Sequence, residues 1–429
     1  MKHWLSDMLP FRRDPLNFML AVGKRAKGPV ERTYLGPTPI WMVTDPELVK
    51  SVLKAPEEEI DKGRLVYKLR KVLGISSLSL SGEEHRRRRG VLHSAFARGV
   101  ANQYVPEMTA IVRRFILQLM QLKSFDAHEM TSRLSLRLVS AVMFGKDVLQ
   151  EADEEVIVQA VARVEDDLSD EMFRVLPLMP WEQLRRARER KAARAVMGAV
   201  VQRVRGRSPE GSVVKSLEAL NLSDEDLSDE ILTMIVAGHH TTGNASAWLL
   251  YHLSVVPGLK DKIAAEAMAL QDESGEISAY KLPQASVSLA AVKETLRLYP
   301  SAHWFARDAK CDQEIGGQKV SKGDTVLIPT WLYHRSPAYW DRPNEFDLSR
   351  DFTSKAFLPF GAGARACTGM GLAILELQLM AIEFSVATEI RVLSQVPAPQ
   401  PKSAITLLPP PIELQVALAE NIPQTRAAA

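Results

Sequence analysis

Residues 358–379 read Leu358-Pro-Phe-Gly-Ala-Gly-Ala-Arg-Ala-Cys-Thr-Gly369 and then Met370-Gly-Leu-Ala-Ile-Leu-Glu-Leu-Gln-Leu379. The second half is apolar and proline-free, and its pattern predicts a helix. The first half sets Gly361, Gly363 and Gly369 around Cys367, just before that helix begins. A helix start offers unpaired N–H groups and the positive end of a dipole, both of which favour a thiolate. Glycines allow the backbone to approach a flat ligand closely. A single thiolate in such a loop suits an axial haem ligand. Zinc would want three or four ligands, and no second cysteine is nearby. Taken alone, a single cysteine after a turn is more often a small buried side chain than a ligand.

Working outward, the 429 residues carry 54 Lys+Arg and 52 Asp+Glu, a net charge of +2. That balance argues against a nucleic-acid partner, which wants a basic chain or domain. Hydrophobic residues at 46% and charged residues at 25% are those of a globular protein, not a disordered one. Two cysteines, Cys311 and Cys367, are too few for a disulfide framework, so a reducing, cytoplasmic setting is expected. Cys311 has no motif around it and reads as structural. No apolar run near the N-terminus reaches the roughly 18 residues that span a bilayer. Pro10, Arg12, Arg13 and Asp14 break any signal-peptide core, so no membrane anchor is expected.

Helix dominates the first 300 residues. Residues 108–144 hold neither Gly nor Pro, Glu151 to Arg205 is helix-forming with an interruption around 176–180, and Ser228 to Leu253 is a long apolar stretch. Short strands are expected at Thr33–Leu35 and Ile40–Thr44 around a Gly36-Pro37 turn. Residues 312–329 alternate β-branched runs with Gly turns, a hairpin pattern. The last 30 residues are proline-rich, with Thr425 to Ala429 frayed. A mainly α fold with a small β-rich lobe (α+β), forming one domain over 1–429, is the expected architecture.

Phe360-Gly-Ala-Gly363-Ala-Arg365-Ala-Cys367-Thr-Gly369 resembles the haem-binding loop of the cytochrome P450 family. The resemblance implies haem b, with Cys367 as the iron's ligand, Arg365 paired to a propionate and Phe360 shielding the sulfur. It covers residues 30 to 415, and three other segments agree in order. Lys293-Glu294-Thr-Leu-Arg297 resembles the family's Glu-x-x-Arg helix. By itself such a pair is most often a surface ion pair of little energy. Phe346-Asp-Leu-Ser-Arg350 resembles the meander whose arginine completes a structural Glu294–Arg297–Arg350 network. Gly82-Glu-Glu-His85-Arg-Arg-Arg-Arg89 resembles the third helix. There His85 and Arg89, at i and i+4, share a face that fits a propionate pair. Four successive arginines could instead be a solvated or nucleic-acid patch, but on a helix they fan out by about 100° each. Arg86 and Arg87 point elsewhere and are candidates to face an acidic redox partner. Arg307 takes the place of a further propionate-binding arginine.

The segment Ala237-Gly238-His239-His240-Thr241-Thr242 resembles the oxygen-side helix, whose pattern is small-Gly-x-acid-Thr-Thr. Ala237 and Gly238 are expected to leave room for haem and dioxygen. Gly238 costs about 1 kcal/mol relative to Ala inside a helix, so it wants a reason. Thr241, with Thr242 beside it, is expected to help deliver protons. The usual acid is His240 here, as in sterol demethylases of the family, and a histidine can also shuttle protons. Adjacent histidines on a helix point about 100° apart and do not chelate one metal.

The resemblance implies a haem-thiolate monooxygenase that uses dioxygen and two electrons from a separate ferredoxin and its reductase. The expected substrate is a hydrophobic small molecule, a terpenoid (a diterpenoid by analogy) or a steroid. Contacts are expected around residues 65–80, Val236-Ala237, the segment after Pro300 with Trp304 and Phe305, and residues 405–407. A peroxide-using or non-oxygenating haem-thiolate enzyme, a fatty-acid hydroxylase, and a haem-free helical binding protein are the alternatives. A monomer is expected.

Overall fold

The computed structural model describes residues 3–35, 39–145, 148–173, 178–393 and 399–419. Helices that build the site are α1 (Gly82–Ala95), α2 (Val105–Met120), α3 (Ala127–Phe144), α4 (Glu151–Phe173), α5 (Pro180–Arg207), α6 (Asp224–Val255), α7 (Ser286–Leu298) and α8 (Met370–Ala387). At 1.5 Å per residue, α6 runs about 48 Å through the molecule. It begins earlier than its apolar run, because Ser223 supplies the N-cap, its hydroxyl accepting from the Asp226 N–H at 3.1 Å. The Gly- and Pro-free stretch from Met108 to Phe144 is two helices. Phe125–Asp126 leave the helix to pair with Glu413 and Leu414, and Asp126 caps α3 through the Glu129 N–H at 2.9 Å.

Leu134, Leu138 and Phe144 of α3 and Ile231, Ile235 and Trp248 of α6 lie in one core that also takes in α2, α7 and α8. The two helices lie close because α6 has glycine at the contact: a Cβ on Gly238 would stand 2.7 Å from Val139 Cγ2. The reason for Gly238 is therefore at least partly helix packing, a role the sequence reading did not assign. Above this core α4 and α5 form a roof. Arg186 and Arg190, both buried on α5, hold Asp167 of α4 at 2.7 and 2.5 Å.

The β-rich lobe is a five-stranded sheet of β1 (Val30–Thr33), β2 (Ile40–Val43), β3 (Ile60–Asp61), β4 (Phe305–Ala309) and β5 (Thr325–Ile328). Their order is β1-β2-β5-β4-β3, with β2 parallel to β5 and the other pairs antiparallel. The first strand starts and ends earlier than the sequence suggests, and the Gly36-Pro37 turn and residues 425–429 lie outside the described residues. The expected hairpin is present at Gln313–Ile315 and Gln318–Val320. Among the described helices α8 alone is long and apolar enough to cross a membrane, and 72% of that stretch is buried inside the protein. That marks it as a core helix, since its apolar surface is already covered by protein.

Candidate active site

The loop before α8 is shaped from its own backbone. Gly361 and Gly363 have φ of +67° and +72°, and a Cβ on Gly363 would sit 2.3 Å from the Leu53 carbonyl oxygen. Side chains larger than glycine are excluded there by both conformation and space. The Cys367 N–H donates to the Phe360 carbonyl at 2.9 Å, and Ala366 N–H to Gly363 O at 3.1 Å. The loop thus closes on itself and turns Cys367 into a cavity of about 350 Å³.

Cys367, Arg365, Gly369, His85, Arg89, Arg307, Ala237, Gly238, Thr241 and Thr242 all line that cavity. Four separate segments of sequence therefore meet at one place. Phe360, Gly361 and Gly363 lie outside the lining and act through the shape of the loop. His240 also lies outside it, because one step along a helix turns a side chain by about 100°. His239 is fully buried, with Nδ1 2.7 Å from Ile235 O, and the two imidazoles stand 6.1 Å apart at 71°. Among the described residues no cluster of His, Cys, Asp and Glu could hold a metal ion.

The sulfur opens into the cavity rather than onto the outer surface. Burial pushes the Cys367 thiol above its ordinary pKa, while the Gly369 N–H and the Arg89 charge pull it down. The backbone donor at the helix start thus works for the thiolate and desolvation, the larger effect, against it. The thiolate belongs with a bound metal ion, whose charge deprotonates a coordinating thiol outright.

On one side of the cavity the side chains are cationic. Arg89 donates to the Ala366 carbonyl, and Arg365 donates to Glu57 and, at 3.3 Å, to the Ser77 carbonyl. Among the described residues the Arg307 guanidinium donates only to its neighbour's carbonyl, Ala306 O, at 2.8 Å. Burial first and Arg365 second lower Arg307 to about 10 and His85 to about 4. Buried guanidinium groups with donors to spare are costly unless an anion meets them. One sulfur beneath a cavity and a cationic rim beside it fit a dianionic, iron-bearing macrocycle.

The remaining lining is mostly apolar: Val66, Leu78, Leu92, Phe96, Met234 and Phe305. Trp304 packs instead against the separate core cluster that contains Met42 and Trp331, so of the two aromatic rings after Pro300 only Phe305 lines the cavity. Ser301 donates to the Thr241 carbonyl at 2.7 Å, and the Thr241 hydroxyl donates to Ala237 O at 2.8 Å.

Several residues escaped the sequence reading. Glu165 of α4 meets His240, with Oε2 2.7 Å from Nε2, and accepts from the Thr406 hydroxyl at 2.8 Å. Asn244 in turn donates to the Thr406 hydroxyl at 3.1 Å. Burial raises the Glu165 pKa, but the His240 and Thr406 bonds outweigh it and leave it below the usual range. Glu376, on α8, lines the cavity fully buried, with Oε1 unpaired; burial holds its carboxyl protonated well above the ordinary pKa. Lys62 lines the cavity beside Arg307. Of the two outlying arginines, Arg87 is tied to Glu84 at 2.9 Å and to the Leu220 carbonyl, while Arg86 is exposed.

The Glu294–Arg297–Arg350 network is present and is no surface pair. Glu294 and Arg297 are both 0% exposed, and Arg297 Nε and Nη2 each donate to the carboxylate at 2.7 Å. Arg350 Nε adds a third bond at 2.8 Å.

A cysteine loop facing a long helix across a cation-rimmed cavity defines a haem-thiolate protein. The family model for Cytochrome P450 matches residues 4–416, and the chain belongs to that family. It is 26% identical over 424 residues to cyclooctatin synthase of Streptomyces melanosporofaciens, covering 89% of each chain. It is 27% identical over 403 residues to cyclooctat-9-en-7-ol 5-monooxygenase of the same organism, covering 88% of this chain and 85% of the relative. A putative cytochrome P450 132 of Mycobacterium bovis is 27% identical over 368 residues, 79% of each. The protein is thus a cytochrome P450 monooxygenase, an oxidoreductase of the family that binds haem b through a cysteine thiolate and acts on hydrophobic molecules with redox partners.

Proposed function

We propose that the protein hydroxylates a terpenoid, with a diterpenoid as the first choice, drawing electrons from a ferredoxin and its reductase. Cys367 is the iron's ligand in this reading, and His85, Arg89, Arg307 and Arg365 hold the propionates. The observation that carries it is the Cys367 sulfur opening into an apolar cavity opposite Ala237 and Thr241. Bound haem supplies the reductive activation of dioxygen that lets one oxygen atom enter a C–H bond.

The chain's own residues do the rest. Val66, Leu78, Leu92, Phe96, Met234 and Phe305 exclude water and select an oily substrate by shape, since few polar anchors face it. The likeness to cyclooctatin synthase and cyclooctat-9-en-7-ol 5-monooxygenase favours a terpenoid over a fatty acid. Thr241 presents a hydroxyl at the cavity wall, and Thr242 lies beside it. His240, backed by Glu165, is the proton relay on the far side of the same helical turn in this reading. Glu165 supplies from α4 the carboxylate that the helix lacks at position 240, which favours dioxygen chemistry over peroxide use. One domain over residues 1–429 and a cytoplasmic setting complete the reading, the latter supported by two unpaired cysteines.

Titration with a library of terpenoids, steroids and fatty acids, followed by the iron spin-state change in the visible spectrum, tests the substrate. Cyclic terpenoids are expected to convert the iron to high spin at micromolar concentrations; a response to fatty acids alone would reassign the enzyme. Thr241→Ala is expected to divert most reducing equivalents into hydrogen peroxide, measured as peroxide formed per NAD(P)H. Unchanged coupling removes Thr241 from proton delivery. Glu165→Gln should keep haem and fold while slowing product formation by about a hundredfold, the scale of a lost acid–base group. Full rates with ferredoxin, reductase and NAD(P)H would eliminate the relay through His240, and full turnover on peroxide alone would favour the peroxide-using reading.

A further inference from the structure

Lys62 directly follows β3, whose register against β4 pairs Ile60 with Ala309 and Asp61 with Asp308. The next step of that ladder sets Lys62 opposite Arg307. The backbones are close there, a Cβ on Gly63 standing 3.6 Å from Arg307 Cα. Both side chains line the cavity that holds Cys367. Lys62 is only 5% exposed, so its ammonium is largely withdrawn from bulk water. The Lys62 ammonium donates to the Leu80 carbonyl and, at 3.4 Å, to Leu78 O. An ammonium carries three donors, so one remains for the cavity.

Among the described residues no neighbouring carboxylate takes that place. Asp61 is engaged by the Tyr67 hydroxyl at 2.5 Å and by the Lys62 backbone N–H at 2.8 Å. Glu57 is held by Arg365 and by the Gly82 N–H at 2.5 Å, with His85 Nδ1 at 3.9 Å. Arg365, Asp61, Glu57 and Arg70 are the charges that act on Lys62. Burial, then Arg365, lower its pKa to about 7. A lysine and an arginine opposed in a buried cavity with donors unspent call for an anion between them.

We propose that Lys62 is a binding residue for a carboxylate in the cavity, which it grips together with Arg307, and that this carboxylate is a haem propionate. The assignment deepens the reading of the cationic rim and rests on it. The same chemistry could come from a carboxylate on a substrate, and the experiment separates the two sources.

Holoenzymes of the wild type, Lys62→Met, Lys62→Arg and Arg307→Met are mixed with excess apomyoglobin, and haem transfer is followed in the Soret region. Resonance Raman bands of the propionates are recorded on the same samples. Lys62→Met is expected to lose haem about tenfold faster, the scale of one charge-assisted hydrogen bond, with its propionate bands displaced. Lys62→Arg should stay within about twofold of the wild type. Should Lys62→Met yield no holoenzyme, Lys62→Gln takes its place in both measurements. Faster loss with unmoved propionate bands overturns the proposal, because it describes a role through the Leu78 and Leu80 carbonyls alone. Wild-type loss from Lys62→Met with faster loss from Arg307→Met overturns Lys62 and leaves the rim intact; wild-type loss from both removes the rim as well. Unchanged haem retention with weakened binding of palmitate, read by spin-state titration, assigns the lysine to substrate and overturns it too.

Discussion

Glu294→Ala and Arg297→Ala are each expected to give protein that folds poorly and carries little haem. Glu294 is 0% exposed and accepts from Arg297 twice, from Arg350, and from the Asp347 N–H at 3.0 Å. Its removal strands the Arg297 guanidinium, fully buried, and the nearly buried guanidinium of Arg350. Removing one partner of a buried pair costs about 3–5 kcal/mol, a large share of a typical stability of about 5–15 kcal/mol. The damage also has a route to the site. Arg297 donates to the carbonyls of His334, Pro343 and Glu345 at 2.6, 2.7 and 3.1 Å. His334 Nδ1 lies 2.9 Å from Arg297 O, while its Nε2 accepts from the Leu358 N–H at 2.9 Å. That pairing demands a neutral ring protonated on Nδ1, and burial lowers the His334 pKa to about 3. Leu358 opens the Cys loop, so the network reaches that loop through one imidazole. Haem content per polypeptide and the thermal midpoint measure the outcome, with a fall of about 5 °C expected for a chain of this length. Either variant with full haem occupancy and an unshifted midpoint would show that the Cys loop is held by something else.

Cys367→Ser is expected to abolish the thiolate spectrum and turnover while leaving the helix content in place. The loop is held by backbone bonds, Cys367 N–H to Phe360 O and Ala366 N–H to Gly363 O, and by Arg89 on the Ala366 carbonyl. None of these uses the sulfur. A hydroxyl is nearly the size of a thiol but is a far weaker acid, so the ligand's charge is lost while its shape stays. Far-UV circular dichroism should match the wild type, and product formation with ferredoxin and reductase should fall below detection. Residual thiolate absorption in this variant would move the ligand away from Cys367, since Cys311 is the other cysteine.

The parts of the site that were legible in sequence are those written in one stretch of chain. The Cys loop declares itself because glycines at fixed offsets are demanded by positive φ and by the Leu53 carbonyl, and His85 and Arg89 because i and i+4 share a helical face. Glu165, Lys62, Glu376 and His334 were not legible. Their place in the site is set by segments distant in sequence, and no local spacing encodes a meeting of Glu165 with His240 or the arrival of Lys62 and Glu376 at one cavity. Gly238 stands out in the helix, but the Val139 side chain it accommodates sits on another helix. Element boundaries slipped where tertiary partners decided them. Phe125–Asp126 become strand because Glu413 and Leu414 lie alongside, and α6 starts at the Ser223 cap rather than where its apolar run begins.

The most direct test is the spectrum of the wild-type protein reduced under carbon monoxide. Thiolate ligation by Cys367 would move the Soret band strongly to the red, and the account predicts that displaced band at full haem occupancy. A band at the position of nitrogen-ligated haem in freshly purified, undenatured protein would contradict it.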